Sequence, residues 1–310
     1  MYIQTVTGSV PVDDITLADA HAHVWIDPPA AAPTQLHLHD EALITAELRD
    51  FGAAGGNLLV DCQPEGTGRN AHFLKTLSEQ TNISITATTG THLYKYYEPE
   101  HFLWNMKAEL AAAFFVQELT DRVYEALDGD SSIRATTIKI GFEGNISGQT
   151  RVLMEAAAIA SQRTGALILF HTEQGRQAEL LPTFFMDRGV PAHRLYLCHM
   201  DKRPDLGLHR ELAQVGVLLG YDTFARPKYE PEKHVWPLLR QMVADDCWQC
   251  IALGLDLALS SMWRHYGGEP GLMMLPEQIQ ARLREEHFPE EAIPSLLGQA
   301  IAKRLVWKKE

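Results

Sequence analysis

Cysteine is scarce in this chain, with four among 310 residues. That is far from a disulfide scaffold and matches a reducing compartment, so a cytoplasmic location is expected. No apolar run reaches the length that spans a bilayer, and the start "MYIQTVTGSV" has neither a basic n-region nor an apolar h-region. Neither a membrane partner nor a signal peptide is therefore expected. Positive charge is also in deficit. The formal net charge is −13, whereas binding a phosphate backbone needs a basic face, so no nucleic-acid partner is expected. Low-complexity tracts, Pro/Ser-rich linkers and clear repeats are missing too, and residues 1–310 read as a single domain. Cys247 and Cys250 in "DDCWQC" have the spacing of redox and zinc sites. No second pair completes a zinc site, however, and the pair precedes an apolar run instead of opening a helix that would stabilise a thiolate. Two partly buried structural thiols are the simpler reading.

What the chain does have is alternation. Eight short apolar runs ("ITLADAHAH", "GNLLVDC", "ISITATT", "TTIKIG", "ALILFH", "LYLCH", "GVLLGYD" and "CIALGLD") are separated by amphipathic stretches such as "DEALITAELRDFGAAG" and "RVLMEAAAIASQRTG". Several of the stretches end at glycine, the usual residue just past a helix. Buried strands alternating with helices predict a parallel α/β sheet, and eight units close most economically as a (β/α)8 TIM barrel. An open doubly wound sheet is the competitor, but the first strand lacks a glycine-rich nucleotide fingerprint. The stretch from Glu98 to Asp130 is long for one crossover and predicts two helices.

In such a barrel chemistry sits at the C-terminal ends of the strands. The first strand ends in "LADAHAHVWI", where alternation puts Asp19, His21 and His23 on one face. Taken alone, His-x-His reads equally well as two satisfied histidines. The fourth strand, however, carries Lys139, the fifth ends at His171, the sixth at His199 and the eighth at Asp256. Six such residues at one mouth are hard to attribute to packing. Imidazole and carboxylate are ligands for zinc and similar divalent ions. Four histidines and an aspartate exceed what one catalytic ion needs, so two ions are the better count, and a close pair needs a bridging anion. Lys139 as an ammonium would be repelled by two cations. Its pKa should fall beside them, and the neutral amine can add carbon dioxide to give a carbamate, an anionic bridge. The alternative for Lys139 is to snorkel to solvent or to pair with Glu143.

The order His-x-His, Lys, His, His, Asp on strands 1, 4, 5, 6 and 8 resembles the amidohydrolase superfamily, and more narrowly its phosphotriesterase-like family. The flanking text "IQTVTGSVP", "GRNAHFLKTLSEQTNISITATTG", "FHTEQG", "CHMDKRPD", "YDTFARPKYEPE" and "DLALSSMWRHYGGEPGL" carries the similarity over nearly the whole chain. Within the family it looks closest to enzymes that open sugar lactones, including phosphorylated ones. The resemblance implies that His21, His23 and Asp256 hold a buried metal and His171 and His199 an exposed one, with carboxylated Lys139 and a hydroxide bridging them. The metals would be Zn2+, with Mn2+, Co2+ or Fe2+ as alternatives. The bridging hydroxide would attack a polarised carbonyl, and Asp256, the catalytic residue, would take its proton to the leaving oxygen. A homodimer is implied as well.

Departures from the family pattern bear on substrate. Many relatives read His-Glu-His on the first strand, where this chain has Ala22, and some bridge with glutamate, which draws attention to Glu143. Phosphorylated-lactone relatives carry basic residues and an aromatic just after the last aspartate, where this chain has Leu259, Ser260 and Met262. Arg176, Lys202, Arg203, Arg226 and Lys228 nevertheless gather on the mouth loops of an acidic chain, which suggests an anionic group on a small-molecule substrate. Tyr94, Tyr96 or Tyr97 of "YKYYEP" would supply a wall or an oxyanion donor. The expectation is a metal-dependent hydrolase opening a polar or sugar-derived lactone, anionic or neutral. A phosphoester, phosphotriester or amide hydrolase with the same site is the alternative. A non-catalytic barrel used for binding is a third reading, and it would require one or more ligands to be lost.

Overall fold

The protein is described as a computed structural model covering residues 1–28, 33–126 and 133–307. An antiparallel hairpin, β1 (Tyr2–Thr5) and β2 (Gly8–Pro11), precedes the first apolar run. The runs then become β3 (Ala18–Ala22), β4 (Leu58–Asp61), β5 (Ser84–Thr86), β6 (Thr88–Thr91), β7 (Thr137–Phe142), β8 (Leu167–Thr172), β9 (Leu195–Cys198), β10 (Leu218–Tyr221) and β11 (Ile251–Leu253). β5 and β6 are two halves of one run. They pair in parallel with β4 on one side and β7 on the other, joining the β3-β4-β5 and β6-to-β11 ladders.

The second seam closes β11 against β3. Asp256 donates its N–H to the His21 carbonyl at 3.0 Å, and Leu255 donates to Asp19 Oδ1 at 3.1 Å. A Cβ on Gly254 would lie 2.8 Å from the His21 nitrogen, so only glycine permits this approach. Closure settles the choice between barrel and open sheet in favour of the (β/α)8 barrel.

Strand alternation divides the core. Leu167 and Leu169 of β8 pack inside the barrel with Ala18, Ala20, Val60 and Tyr196, while Ile168 and Phe170 face the helical layer. Ile3 and Val12, from the hairpin and the turn after it, complete the inner cluster and plug the end opposite the mouth.

The amphipathic stretches form α1 (Glu41–Ala53), α2 (Ala71–Thr81), α3 (Ala108–Thr120), α4 (Gly148–Thr164), α5 (Leu180–Met186), α6 (Leu206–Gln214) and α7 (Val235–Ala244). Asp40, Asn70 and Asp205 cap α1, α2 and α6 by accepting from the N–H groups of Leu43, Phe73 and Leu208.

The two helices expected between Glu98 and Asp130 are not found among the described residues. There is one α-helix, α3, flanked by the short 3₁₀ turns Phe102–Asn105 and Tyr124–Ala126. Met106 and Lys107 adopt extended backbone angles, which ends the first turn before a helix can propagate. Residues 127–132 lie outside the described residues. Cys247 and Cys250 sit beside β11 at its N-terminal end, away from the mouth, as partly buried free thiols. Their S–H groups face the carbonyls of Asp245 and Ala213, each at 3.5 Å.

One buried ionic cluster ties α3 to the barrel. Arg69, in the loop after β4, reaches Glu118 of α3 at 2.6 Å, Glu125 at 2.5 Å and the Thr88 carbonyl at 2.6 Å. Burial alone raises the Glu125 pKa, but the Arg69 guanidinium outweighs it and holds the carboxyl below its usual range. A depressed folded-state pKa contributes stability above the unfolded value of about 4.3 that is lost as pH falls. Arg69→Ala leaves Glu118 buried without its partner and should cost about 3–5 kcal/mol in urea unfolding at neutral pH. An unchanged midpoint would show that the cluster contributes nothing to stability.

Candidate metal centre

The mouth begins with an irregularity in β3. Asp19 pairs with Leu59 and Ala22 with Asp61, so three steps on β3 oppose two on β4. This bulge corrects the strict alternation expected of Asp19, His21 and His23. Ala18 and Ala20 face the lumen, Ala22 faces the helices, and the extra residue re-aims His21 to the mouth beside His23, ring centroids 5.3 Å apart. Asp19 stays below as a brace, its Oδ1 accepting from the His21 and Leu255 amides.

The imidazoles are oriented from behind. Asp222, at the end of β10, accepts from His21 Nδ1 at 2.7 Å and from His199 Nδ1 at 2.6 Å. Burial works against its charge, but His199 and His21 hold the carboxyl far below the usual range. An ionised carboxylate only accepts, so both Nδ1 atoms carry a proton and both Nε2 atoms face the cavity. Burial favours the neutral His21 ring, but Cys62 and Asp222 raise its pKa to about 10, so a cation would have to displace the Nε2 proton of His21. Gln63 does the same for His23. Its amide nitrogen donates to Thr67 Oγ1 at 2.9 Å, which turns its oxygen to His23 Nδ1 at 2.8 Å. His171 Nδ1 lies 3.1 Å from His199 Nε2. Burial lowers the pKa of His171 to about 3 and of His199 to about 4, so both rings are neutral near pH 7.

Asp256 completes the ring, with Oδ1 3.3 Å from His23 Nε2 and 3.8 Å from His21 Nε2. One donor atom from each of His21, His199 and Asp256 falls within 4.8 Å of the others. Lys139 is fully buried on β7, neither snorkelling nor reaching Glu143, which is exposed at the rim. Its Nζ, His21 Nε2 and His171 Nε2 are buried without a hydrogen-bond partner among the described residues. His171 Nε2 lies 3.6 Å from the Glu173 carboxylate. The unpartnered Lys139 Nζ and His21 Nε2, with the four imidazoles and Asp256 around them, are a donor set that fits a pair of divalent cations. The protein's own charges push Lys139 opposite to the expected fall. Burial favours the neutral amine, but Cys62, Cys198, Asp256 and Asp222 keep its pKa above the ordinary value. Lowering it therefore depends on the metals themselves.

The other candidate residues divide into groups. Arg226 donates to Asp256 Oδ2 at 2.7 Å. Arg176 and Arg203 line a cleft of about 330 Å³ with Glu143, Gly144, Gln177 and Glu179, and Arg203 bonds Glu179 at 3.0 Å. Lys202 and Lys228 flank the Tyr229 ring at 5.1 and 4.9 Å. Tyr97 is buried, its hydroxyl accepting from the His92 amide at 2.9 Å, and exposed Tyr94 packs edge-on against Trp104. Tyr96 instead stands 4.6 Å from the His92 ring, which lies 4.7 Å from His171. Sequence reasoning passed over Asp222, Gln63 and His92. The rule that chemistry sits at strand ends points to all three, since they close strands 7, 2 and 3.

A closed parallel barrel whose mouth gathers four imidazoles, a carboxylate and a buried lysine defines a TIM barrel with a candidate metal site. The chain belongs to the phosphotriesterase family, whose model matches residues 1–303. It is accordingly a hydrolase of a metal-dependent family. It is 25% identical to the phosphotriesterase homology protein of Escherichia coli, over 90% of this chain and 94% of that protein. It is 24% identical to a phospho-furanose lactonase of Mycoplasmopsis agalactiae, over 96% of this chain and 89% of that one. A lactonase from Listeria monocytogenes shares the fold at a TM-score of 0.92 over the full length of both chains, with 23% identity. Among the described residues no helix is long and apolar enough to cross a membrane.

Asp222→Asn turns one of the two acceptor oxygens into a donor, so one of the two rings loses its tautomer-fixing partner, and metal binding should weaken about 10–100-fold in chelator competition. Affinity equal to wild type would show that His21 and His199 orient without it.

Proposed function

We propose that residues 1–310 act as one lactonase domain that opens a polar or sugar-derived lactone at the barrel mouth. The observation that carries this reading is the convergence of His21, His23, His171 and His199 on one cavity with Asp256 and Lys139. His21, His23 and Asp256 would hold one ion and His171 and His199 the other, with Lys139 as a carbamate between them. When bound, the metal pair, taken as Zn2+, supplies a water of lowered pKa and an electrophilic contact for the carbonyl oxygen. The protein does the rest. Burial works against the charge of Asp256, but His199, His23 and Arg226 hold its carboxyl well below the usual range, so it stands ionised to accept the proton of the attacking water. That proton passes to the ring oxygen as the C–O bond breaks, leaving a hydroxy acid.

Substrate contacts are assigned to the mouth loops. Arg264, the first basic residue after Asp256, bonds the Pro270 carbonyl and Glu277, each at 2.6 Å. It is thereby held away from a ligand, and recognition of an anionic group falls to Arg176, Arg203, Lys202 and Lys228, with Tyr96, beside His92, shaping the adjoining wall in place of Tyr94 and Tyr97. A cytoplasmic homodimer is the expected working state, in keeping with four free thiols.

Elemental analysis of protein purified without chelator should give about two divalent ions per chain, and a lactone panel screened before phosphoesters should give turnover. A chain that holds no metal after loading with bicarbonate present would overturn the proposal. Phosphoester cleavage without lactone opening would move it to the other electrophile. Asp256→Asn should lower turnover about 10²–10⁴-fold with the thermal midpoint largely kept; unchanged turnover would remove its proton-transfer role. Lys139→Ala should lower metal occupancy, and added short carboxylates should restore it. Full occupancy in that variant would dispose of the carbamate bridge.

A further inference from the structure

A second set of ligand-type side chains gathers outside the barrel mouth, in the loop between β3 and α1. Ile26 and Leu38 pair as an isolated antiparallel bridge and exchange both backbone hydrogen bonds, at 2.8 and 2.9 Å. Residues flanking such a pair turn to the opposite face from it, and those directly across from each other are neighbours. Ile26 and Leu38 are buried beneath, and the register sets Asp27 across from His37 and Trp25, itself buried, across from His39.

The contacts follow that register. The Trp25 ring lies 6.4 Å from His39 and is itself stacked at 3.9 Å on Phe73 of α2. The Asp27 amide donates to the Gly68 carbonyl at 3.0 Å, so the loop after β4 fixes this edge. His37 Nδ1 and His39 Nε2 are 3.3 Å apart, and one donor atom from each of Asp27, His37 and His39 lies within 4.8 Å of the others.

Two imidazoles and a carboxylate are a donor set for borderline divalent ions. A tetrahedral site with Zn–N bonds of about 2.0–2.1 Å has edges of about 3.3 Å, the separation found between the two histidine nitrogens. Asp27 and His39 are exposed and His37 is half-buried, which leaves water access to a fourth position. We infer that Asp27, His37 and His39 form a separate metal site, for Zn2+ or an ion like it, that clasps the loop after β3. Its ends lead to the rest of the mouth: the amide of Asp40 donates to the Tyr266 hydroxyl at 2.8 Å, and Ser260 donates to the Gln35 carbonyl at 3.3 Å. The clasp therefore steadies the loop that follows Asp256 without touching the barrel ligands.

The test compares wild type with a His37→Ala/His39→Ala double variant, both equilibrated with the same excess of Zn2+ and counted by elemental analysis. Wild type should hold one more equivalent, and calorimetric titration with Zn2+ should lack one binding phase in the variant. The difference reads the loop site whatever number of ions the mouth binds, so failure here and failure of the lactonase reading are distinguishable. Asp27→Asn, which keeps the shape, should weaken that phase about tenfold or more. Equal stoichiometry in wild type and the double variant would reduce the 3.3 Å contact to an ordinary N–H···N bond and overturn the site. Unchanged affinity in Asp27→Asn would remove its carboxylate from it.

Discussion

The mouth of this barrel depends on a single buried carboxylate. Asp222 receives the ring N–H of His21 from β3, the ring N–H of His199 from the end of β9 and, at 3.1 Å, the backbone N–H of His199. Strands distant in sequence are thereby locked to one anion, and the Nε2 atom of each imidazole is directed inward. A low dielectric strengthens these charge-assisted bonds, and leaving any of them unmade would be costly. The arrangement fixes two of the four crowded histidines from behind, while His171 reaches His199 Nε2 through its own Nδ1 at 3.1 Å.

Other aspartates extend the same device around the rim. Asp19 takes amides of β3 and of the segment after β11, and Asp61 takes those of Val24 and Gln63. Asp201 takes the amides of Asp222 and Thr223. Burial raises the pKa of Asp19 to about 8 and of Asp61 and Asp201 to about 7, in contrast to Asp222, which its histidines hold ionised. Carboxylates of one residue type thus serve as strand staples or as a tautomer clamp, according to what faces them. The rim also holds strain. His199 and Asp256 sit in the left-handed region at φ 62° and 49°, a conformation that costs about 1–3 kcal/mol in a residue with a side chain and persists where the surroundings enforce it.

The loops are tied to this rim by further polar anchors. Glu47 of α1 accepts from the His265 and Leu272 amides, docking the long segment after Asp256. Arg69 does the same for α3 through Glu118 and Glu125. The loops of the mouth are consequently carried on a rigid base, which holds their charged and aromatic side chains in fixed positions around the candidate site.

The sequence by itself determined the parallel α/β order, the eight runs and the six strand-end residues His21, His23, Lys139, His171, His199 and Asp256. Period-two burial and the position of polar residues at strand ends are local properties and are written in the chain. Only tertiary structure decided that the sheet closes, because closure rests on Gly254 meeting the backbone of His21, two residues far apart in sequence. It alone placed the bulge that excludes Asp19 from the ligand face, made Asp222 and Gln63 the partners of histidines on other strands, and reduced the expected second helix near Phe102 to one turn. It also distributed the basic residues, setting Arg226 on Asp256, Arg176 and Arg203 in a cleft, and Lys202 and Lys228 beside Tyr229. The closure, the histidine partners and the Arg226–Asp256 pair are each fixed by a contact between residues distant in sequence, and local periodicity does not encode such contacts.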